Sequence, residues 1–132
     1  MEQELEIITN GDFKNINLKS RYKRDSKGNF EVKDGKKVAL QQGLEVGNHV
    51  ILEKTFAQGL EITKPTYTFF NCKVKYKNTD VSFVLYKDEH DEFASTGGVG
   101  DKVKATLFKE PYVNKKTGAE GLKEVLHFEV VA

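Results

Sequence analysis

The stretch Thr66–Tyr86, TYTFFNCKVKYKNTDVSFVLY, decides how this chain folds. Even positions hold Phe70, Cys72, Val74 and Tyr76. Odd positions hold Tyr67, Phe69, Asn71, Lys73, Lys75 and Lys77. Period-two alternation over this length marks a β-strand with one buried and one solvent-facing side, because successive side chains point to opposite faces. A tight turn at Asn78–Thr79 brings the following run back along it. That turn pairs Lys77 with Asp80, Tyr76 with Val81, Val74 with Phe83 and Cys72 with Leu85. On the other face Lys75 meets Ser82, Lys73 meets Val84 and Asn71 meets Tyr86. A one-residue slip would put every apolar side chain in water, so the face of each residue is strongly specified.

Outward from this hairpin, Val46–Phe56, Lys102–Phe108 and Lys123–Val131 read as further strands. Asp88–Ala94 (DEHDEFA) reads as a helix, and Thr96–Gly100 as a glycine-rich connection. The expected core is Phe70, Cys72, Val74, Phe83, Leu85, Val103, Leu107, Leu126 and Phe128. Before Gly43 apolar residues are sparse. Leu5, Ile7 and Ile8 suggest a short strand. Turn signals at Ser26–Asn29 and Asp34–Gly35 suggest one or two short hairpins around Phe30 and Val32. The chain therefore divides into a basic N-terminal extension, residues 1–44, and a β domain, residues 45–132.

The order in that domain is three strands, a helix, then two strands. The longest loops are Ala57–Pro65, between the first two strands, and Lys109–Gly121, between the last two. This order, with the stretch Gly100–Leu107 (GDKVKATL), resembles the oligonucleotide/oligosaccharide-binding (OB) fold, although a small open β barrel of another type fits the same pattern. The resemblance implies an all-β fold with minor α content: a five-stranded OB-type Greek-key barrel, a short helix between strands three and four, and an N-terminal β extension. It also implies that strands two and three, with the two long loops, form the ligand face. Among OB proteins the chain resembles compact single-stranded DNA-binding proteins of phages, archaeal viruses and replication systems.

The residues on that face suit such a ligand. Single-strand binders need rings on which bases stack and cations that track phosphates. Tyr67, Phe69 and Tyr86 supply rings. Lys73, Lys75 and Lys77 supply cations, and Asn71 lies between the two groups. Residues two apart on a strand are ~6.6 Å from each other, about the reach between neighbouring phosphates of an extended strand. The loops add Tyr112, Lys115 and Lys116 on one side, and Lys54, Phe56 and Lys64 on the other. Arg21, Lys23 and Arg24 belong to the densest basic cluster and include both arginines of the chain. A plain solvated face, with lysines that keep a sheet from aggregating, also accounts for the pattern. So does a protein-binding adaptor that uses the same aromatic surface.

Charge and composition narrow the classes. Net charge is only +1, but residues 11–40 hold nine Lys/Arg against four Asp/Glu, which suits a polyanionic partner. No apolar stretch approaches the ~20 residues of a membrane span. The acidic start MEQELE is unlike a secretory signal. A single cysteine, Cys72, excludes an internal disulfide and suits the cytoplasm. His49, His90 and His127 lie apart without metal-ligand spacing, and Thr96–Asp101 lacks the Lys-Ser/Thr end of a phosphate loop. The expectation is thus a binding protein without catalysis, cofactor or metal. Its expected partner is single-stranded DNA, with RNA not distinguished by any residue. Replication or repair proteins are candidate partners, and the N-terminal segment is a candidate homodimer contact.

Overall fold

Alternation of apolar and polar residues makes most of this chain sheet. The structure is a computed structural model that describes residues 1–131, mostly strand with one short helix. The N-terminal third supplies β1 (Ile8–Asn10), β2 (Phe13–Asn15), β3 (Arg21–Tyr22), β4 (Val32–Lys33), β5 (Lys36–Lys37) and β6 (Ala39–Gln41). The rest supplies β7 (His49–Lys54), β8 (Leu60–Thr63), β9 (Thr68–Tyr76), β10 (Thr79–Leu85), the helix α1 (Lys87–Ser95), β11 (Lys102–Val113) and β12 (Glu120–Val130).

The hairpin β9–β10 forms with the expected faces but a different register. The turn residues are Lys77 and Asn78, with φ of 51° and 63°, so Tyr76 pairs with Thr79, Val74 with Val81, Cys72 with Phe83 and Phe70 with Leu85. The expected pairing was two residues out. Positive φ at two successive central residues is the two-residue hairpin turn whose twist matches the strands, and Asn tolerates that conformation well. A shift of two keeps every side chain on its face, which is why pattern alone could not detect it. All nine expected core residues are buried, and so are Tyr76 and Val81.

Five strands and the helix organise the domain. β7 pairs with β9 and with β11, β9 pairs with β10, and β11 pairs with β12, all antiparallel. The spatial order is therefore β10-β9-β7-β11-β12. Among the described residues no ladder joins β10 to β12. α1 packs against β12 and β9, and the Glu89 carboxylate accepts the backbone N–H of Leu126 at 2.9 Å. Both expected long loops prove partly strand. Residues 57–65 contain β8, which pairs along the start of β9. Residues 109–121 are largely the extended β11–β12 hairpin, whose tip is only Asn114–Ala119. Pro111 is no obstacle there. The outward N–H of Leu126 places Leu122, of the same parity and opposite Pro111, at a non-hydrogen-bonded site, where a missing N–H costs nothing.

The N-terminal segment is built onto the same core. Leu5, Ile16, Leu18 and Leu44 are buried with the residues of the five strands. Leu5 donates its N–H to the Tyr76 hydroxyl at 2.8 Å, and Ile16 donates to the Ser82 carbonyl at 3.0 Å. Gly43 permits the close approach: a Cβ there would lie 2.4 Å from the Lys19 carbonyl carbon. Leu44 lies in the connection between β6 and β7, and the residues before and after it share this core. Only residues 21–41 stand apart, as a β-finger of two short two-stranded sheets, β3–β6 and β4–β5, in which the expected hairpin around Phe30 and Val32 is present.

Candidate functional site

The exposed face of the hairpin is one wall of a furrow. Tyr67 and Phe69 stack with ring centroids 5.9 Å apart and an interplanar angle of 29°. Across from them Val84 and Tyr86 continue the apolar surface, and Tyr67 and Tyr86 are both more than half exposed. The opposite wall is the segment Ile16–Arg21. Between the walls lies a cleft of about 430 Å³. It opens into a second cleft of about 410 Å³, with Asn71, Phe13 and Gln41 on its lining; Phe69, Val84 and Arg21 line both. Phe13 and Ser82 connect the second cleft to a third of about 340 Å³, which holds Phe56 and Lys73. The Lys73 ammonium sits 5.9 Å from the centroid of the Phe56 ring.

The wall formed by residues 13–21 was missed in the sequence, although its signal was present. Ile16 and Leu18 alternate with Asn15, Asn17 and Lys19, a period-two pattern whose apolar members are buried. The wall is held along its second half. Lys19 forms a 2.7 Å ion pair with the buried Glu89. Asn17 donates to Gln41 Oε1 at 2.9 Å, and Ser20 accepts from the Gly43 N–H at 2.8 Å.

The other expected site residues separate. Lys75 and Lys77 belong to a different cleft, beside Glu2 and Glu53. Lys77 is paired with Glu4 at 2.6 Å, a contact that lifts the Lys77 pKa and lowers that of Glu4. The lysine row is therefore divided, and only Lys73 faces the furrow system. Lys54 is withdrawn from the surface altogether. It is 1% exposed, and its ammonium donates to the carbonyls of Phe93 at 2.8 Å and Thr96 at 3.0 Å. It closes the C-terminal end of α1, where unpaired carbonyls and the helix dipole favour a cation, while burial lowers its pKa. Lys54 sits on the inward parity of β7 with Val50 and Leu52, which is the physical reason for this correction.

Lys64 is exposed, and its N–H closes a turn onto the Tyr67 carbonyl at 2.8 Å. Tyr112, Lys115 and Lys116 lie on the β11–β12 hairpin and line none of the three furrow clefts. The Tyr112 ring packs over Gly121, where a Cβ would come within 2.9 Å of it. Arg21 projects into the furrow, whereas Lys23 and Arg24 lie further out on the finger.

Elsewhere Cys72, His90 and His127 are tied into the structure. Cys72 is buried with its pKa pushed up to about 12, so its thiol is not a ready nucleophile. His90 stacks on Phe70 at 3.8 Å and accepts the Gly59 N–H at 3.0 Å. His127 lies between Glu92, at 2.9 Å, and Glu110, and these carboxylates raise its pKa. No group of three or more His, Cys, Asp or Glu among the described residues is arranged to hold a metal ion. No described helix is long and apolar enough to cross a membrane. In comparisons with known proteins, no family model, no curated protein and no solved structure matches this chain.

Proposed function

We propose that this chain binds single-stranded nucleic acid, DNA in the first instance, along the furrow between the β9–β10 hairpin and residues 13–21, and that it acts as a binder rather than an enzyme. The observation that carries the reading is the stacked Tyr67–Phe69 pair, with Tyr86, open to a cleft that also receives Arg21. Rings that present a face to solvent are stacking platforms for unpaired bases, and a guanidinium beside them suits a phosphate. Every base has a face that can stack on a ring, so binding carried by the rings would be sequence-tolerant. Lys73 beside Phe56 extends the same chemistry into the third cleft.

The OB reading is part of this proposal. Counting β7, β9, β10, β11 and β12 as strands one to five, the order 3-2-1-4 supports a Greek-key reading, in which the fourth strand returns beside the first. A helix between strands three and four agrees with it. In a partly open barrel α1 would fill the seam between β10 and β12, as the Glu89–Leu126 contact suggests. The furrow then lies on the strand two–three face that OB proteins use for ligand.

The test is a fluorescence-anisotropy titration of labelled single-stranded DNA, single-stranded RNA and duplex DNA of equal length. Single-strand binding that weakens in Phe69→Ala supports the reading, whatever the affinity for duplex. Single-strand affinity unchanged in that variant and equal to that for duplex would leave charge attraction alone. Absence of binding to all three would favour a protein-binding adaptor that uses the same aromatic furrow.

A further inference from the structure

We infer that the β-finger of residues 21–41 binds the phosphate backbone of a nucleic-acid duplex, so that the protein engages a single strand where it meets a paired segment. The junction part of this inference rests on the single-strand reading of the furrow; the duplex contact does not.

The finger is built for charge rather than stacking. It holds seven Lys/Arg against three Asp/Glu. The acids are already engaged or local. Asp25 accepts the N–H groups of Lys27 and Asn29 in its own turn, Glu31 lies 3.7 Å from Lys23, and Asp34 is a turn residue with φ of 54°. Among the described residues, Lys23 is the only finger cation with an ion-pair partner. The aromatic groups are occupied. Phe30 has the Arg24 guanidinium 4.1 Å and the Lys37 ammonium 4.2 Å from its ring centroid, and Tyr22 meets it edge-on at 6.0 Å. A base cannot displace these cations without breaking the contacts that hold the finger together.

The tip carries a feature that folding does not explain. Lys33 and Lys36 are directly opposite each other across the β4–β5 turn. Like charges at such a pair destabilise a hairpin. A phosphate oxygen between the two ammonium groups turns that repulsion into attraction. The partner is therefore polyanionic and need not offer unpaired bases. Duplex DNA carries one charge per ~1.7 Å of axis, a denser array than a single strand presents. The root of the finger supplies the link: Arg21 and its cross-strand partner Gln41 both line the furrow. A duplex on the finger and a strand in the furrow would thus be continuous.

The experiment measures the full chain and the double variant Lys33→Gln/Lys36→Gln by anisotropy at 50 and 200 mM salt. The probes are a single strand, a blunt duplex, and a duplex with a single-stranded tail. The parent should bind the tailed duplex more tightly than the single strand. In the variant the slope of log K against log salt for duplex and tailed duplex should fall by ~1.8, two phosphate contacts at ~0.9 each, so its deficit shrinks about tenfold between the two salts. Single-strand affinity should stay within about twofold, since neither lysine lines the furrow. Both residues are exposed, so a melting curve should match or exceed that of the parent. Tailed duplex and single strand binding equally, or an unchanged slope in the variant, would overturn the inference. Loss of single-strand binding alone, with duplex binding intact and lysine-dependent, would overturn the furrow reading and leave the finger standing.

Discussion

Replacing Phe69 by alanine tests the furrow at its most exacting point. Phe69 lines the first two clefts of the furrow and is the less exposed member of the stacked pair with Tyr67. It is half-buried and lies outside the core cluster, whereas its neighbour Phe70 is 7% exposed inside it. Removing the Phe69 ring deletes one base-stacking contact, worth ~1–3 kcal/mol, which weakens binding of a single strand by ~5- to 150-fold. The ring carries no charge, so the dependence of log K on log salt should stay where it was. Arg21→Ala should behave in the opposite way. It removes one phosphate contact and should flatten that slope by ~0.7 on a single strand, with similar losses for all sequences. Lys75→Ala should change little, because Lys75 lies beside Glu53 in a separate cleft. The assay is an anisotropy titration of each of the three variants at several salt concentrations, each with a thermal melt. Normal binding by Phe69→Ala would refute the stacking platform. A collapse of the melting temperature would instead make Phe69 a structural residue and remove the reason to read its face as a binding surface.

The structure sets three further outcomes. Phe83→Ala empties a site that is 2% exposed and loses the edge-on contact with Phe93 at 5.6 Å, so urea unfolding should register a loss of ~3–5 kcal/mol; a loss below ~1 kcal/mol would contradict the assigned core. Lys54→Met keeps the aliphatic bulk but leaves the carbonyls of Phe93 and Thr96 without their donor, which should cost ~1–3 kcal/mol and lower the melting temperature by several degrees; an unchanged melt would refute the helix-closing role. His127, whose folded pKa is raised above its usual 6.5 by hydrogen bonds to Glu110 and Glu92, contributes stability that is full below about pH 6.5 and is lost as pH rises through the raised value. Unfolding curves at pH 6 and pH 9 should therefore converge in His127→Gln relative to the parent, and an equal pH dependence in both proteins would show that the cluster does not act as drawn.

What was legible in the sequence follows from what a period-two pattern encodes. Parity fixes a face, and every residue of Thr66–Tyr86 assigned to the core or to the surface stands there. Register is a separate quantity, set by whether the chain reverses at Lys77–Asn78 or at Asn78–Thr79. Both turns satisfy the pattern equally. Only the backbone preference for two successive positive φ angles separates them, and Lys77 gives no hint of adopting one. The same limit hid β8: Leu60–Thr63 is a short edge strand whose exposed Leu60 reads as loop. Pro111 and Gly121 made the end of the β11–β12 hairpin read as loop as well. There the pairing survives because the proline falls at a site without a ladder hydrogen bond and the Tyr112 ring covers the glycine.

The site was legible in its rings and not in its charges, and the difference is physical. An aromatic side chain is short relative to its bulk, so the strand face on which it stands determines where it is. A lysine head swings on a flexible four-carbon stem, where a ring has only two rotatable bonds, and its surroundings decide its role. Lys73 and Lys75 share one face of β9 and Lys77 follows them in the turn, yet one lies by Phe56, one by Glu53 and one on Glu4. Lys54 shows the extreme case: its inward parity on β7 was visible, but the carbonyls that make a buried ammonium tolerable come from a helix some forty residues later. Those partners exist only once α1 has docked. The same docking puts Glu89 where it holds Lys19, and Lys19 anchors the segment that walls the furrow. The helix therefore links the core to the candidate site. Breaking the Lys19–Glu89 pair should loosen the wall opposite Tyr67 and Phe69 while leaving the rings in place, which separates a furrow that binds by enclosure from an open face that binds by stacking alone.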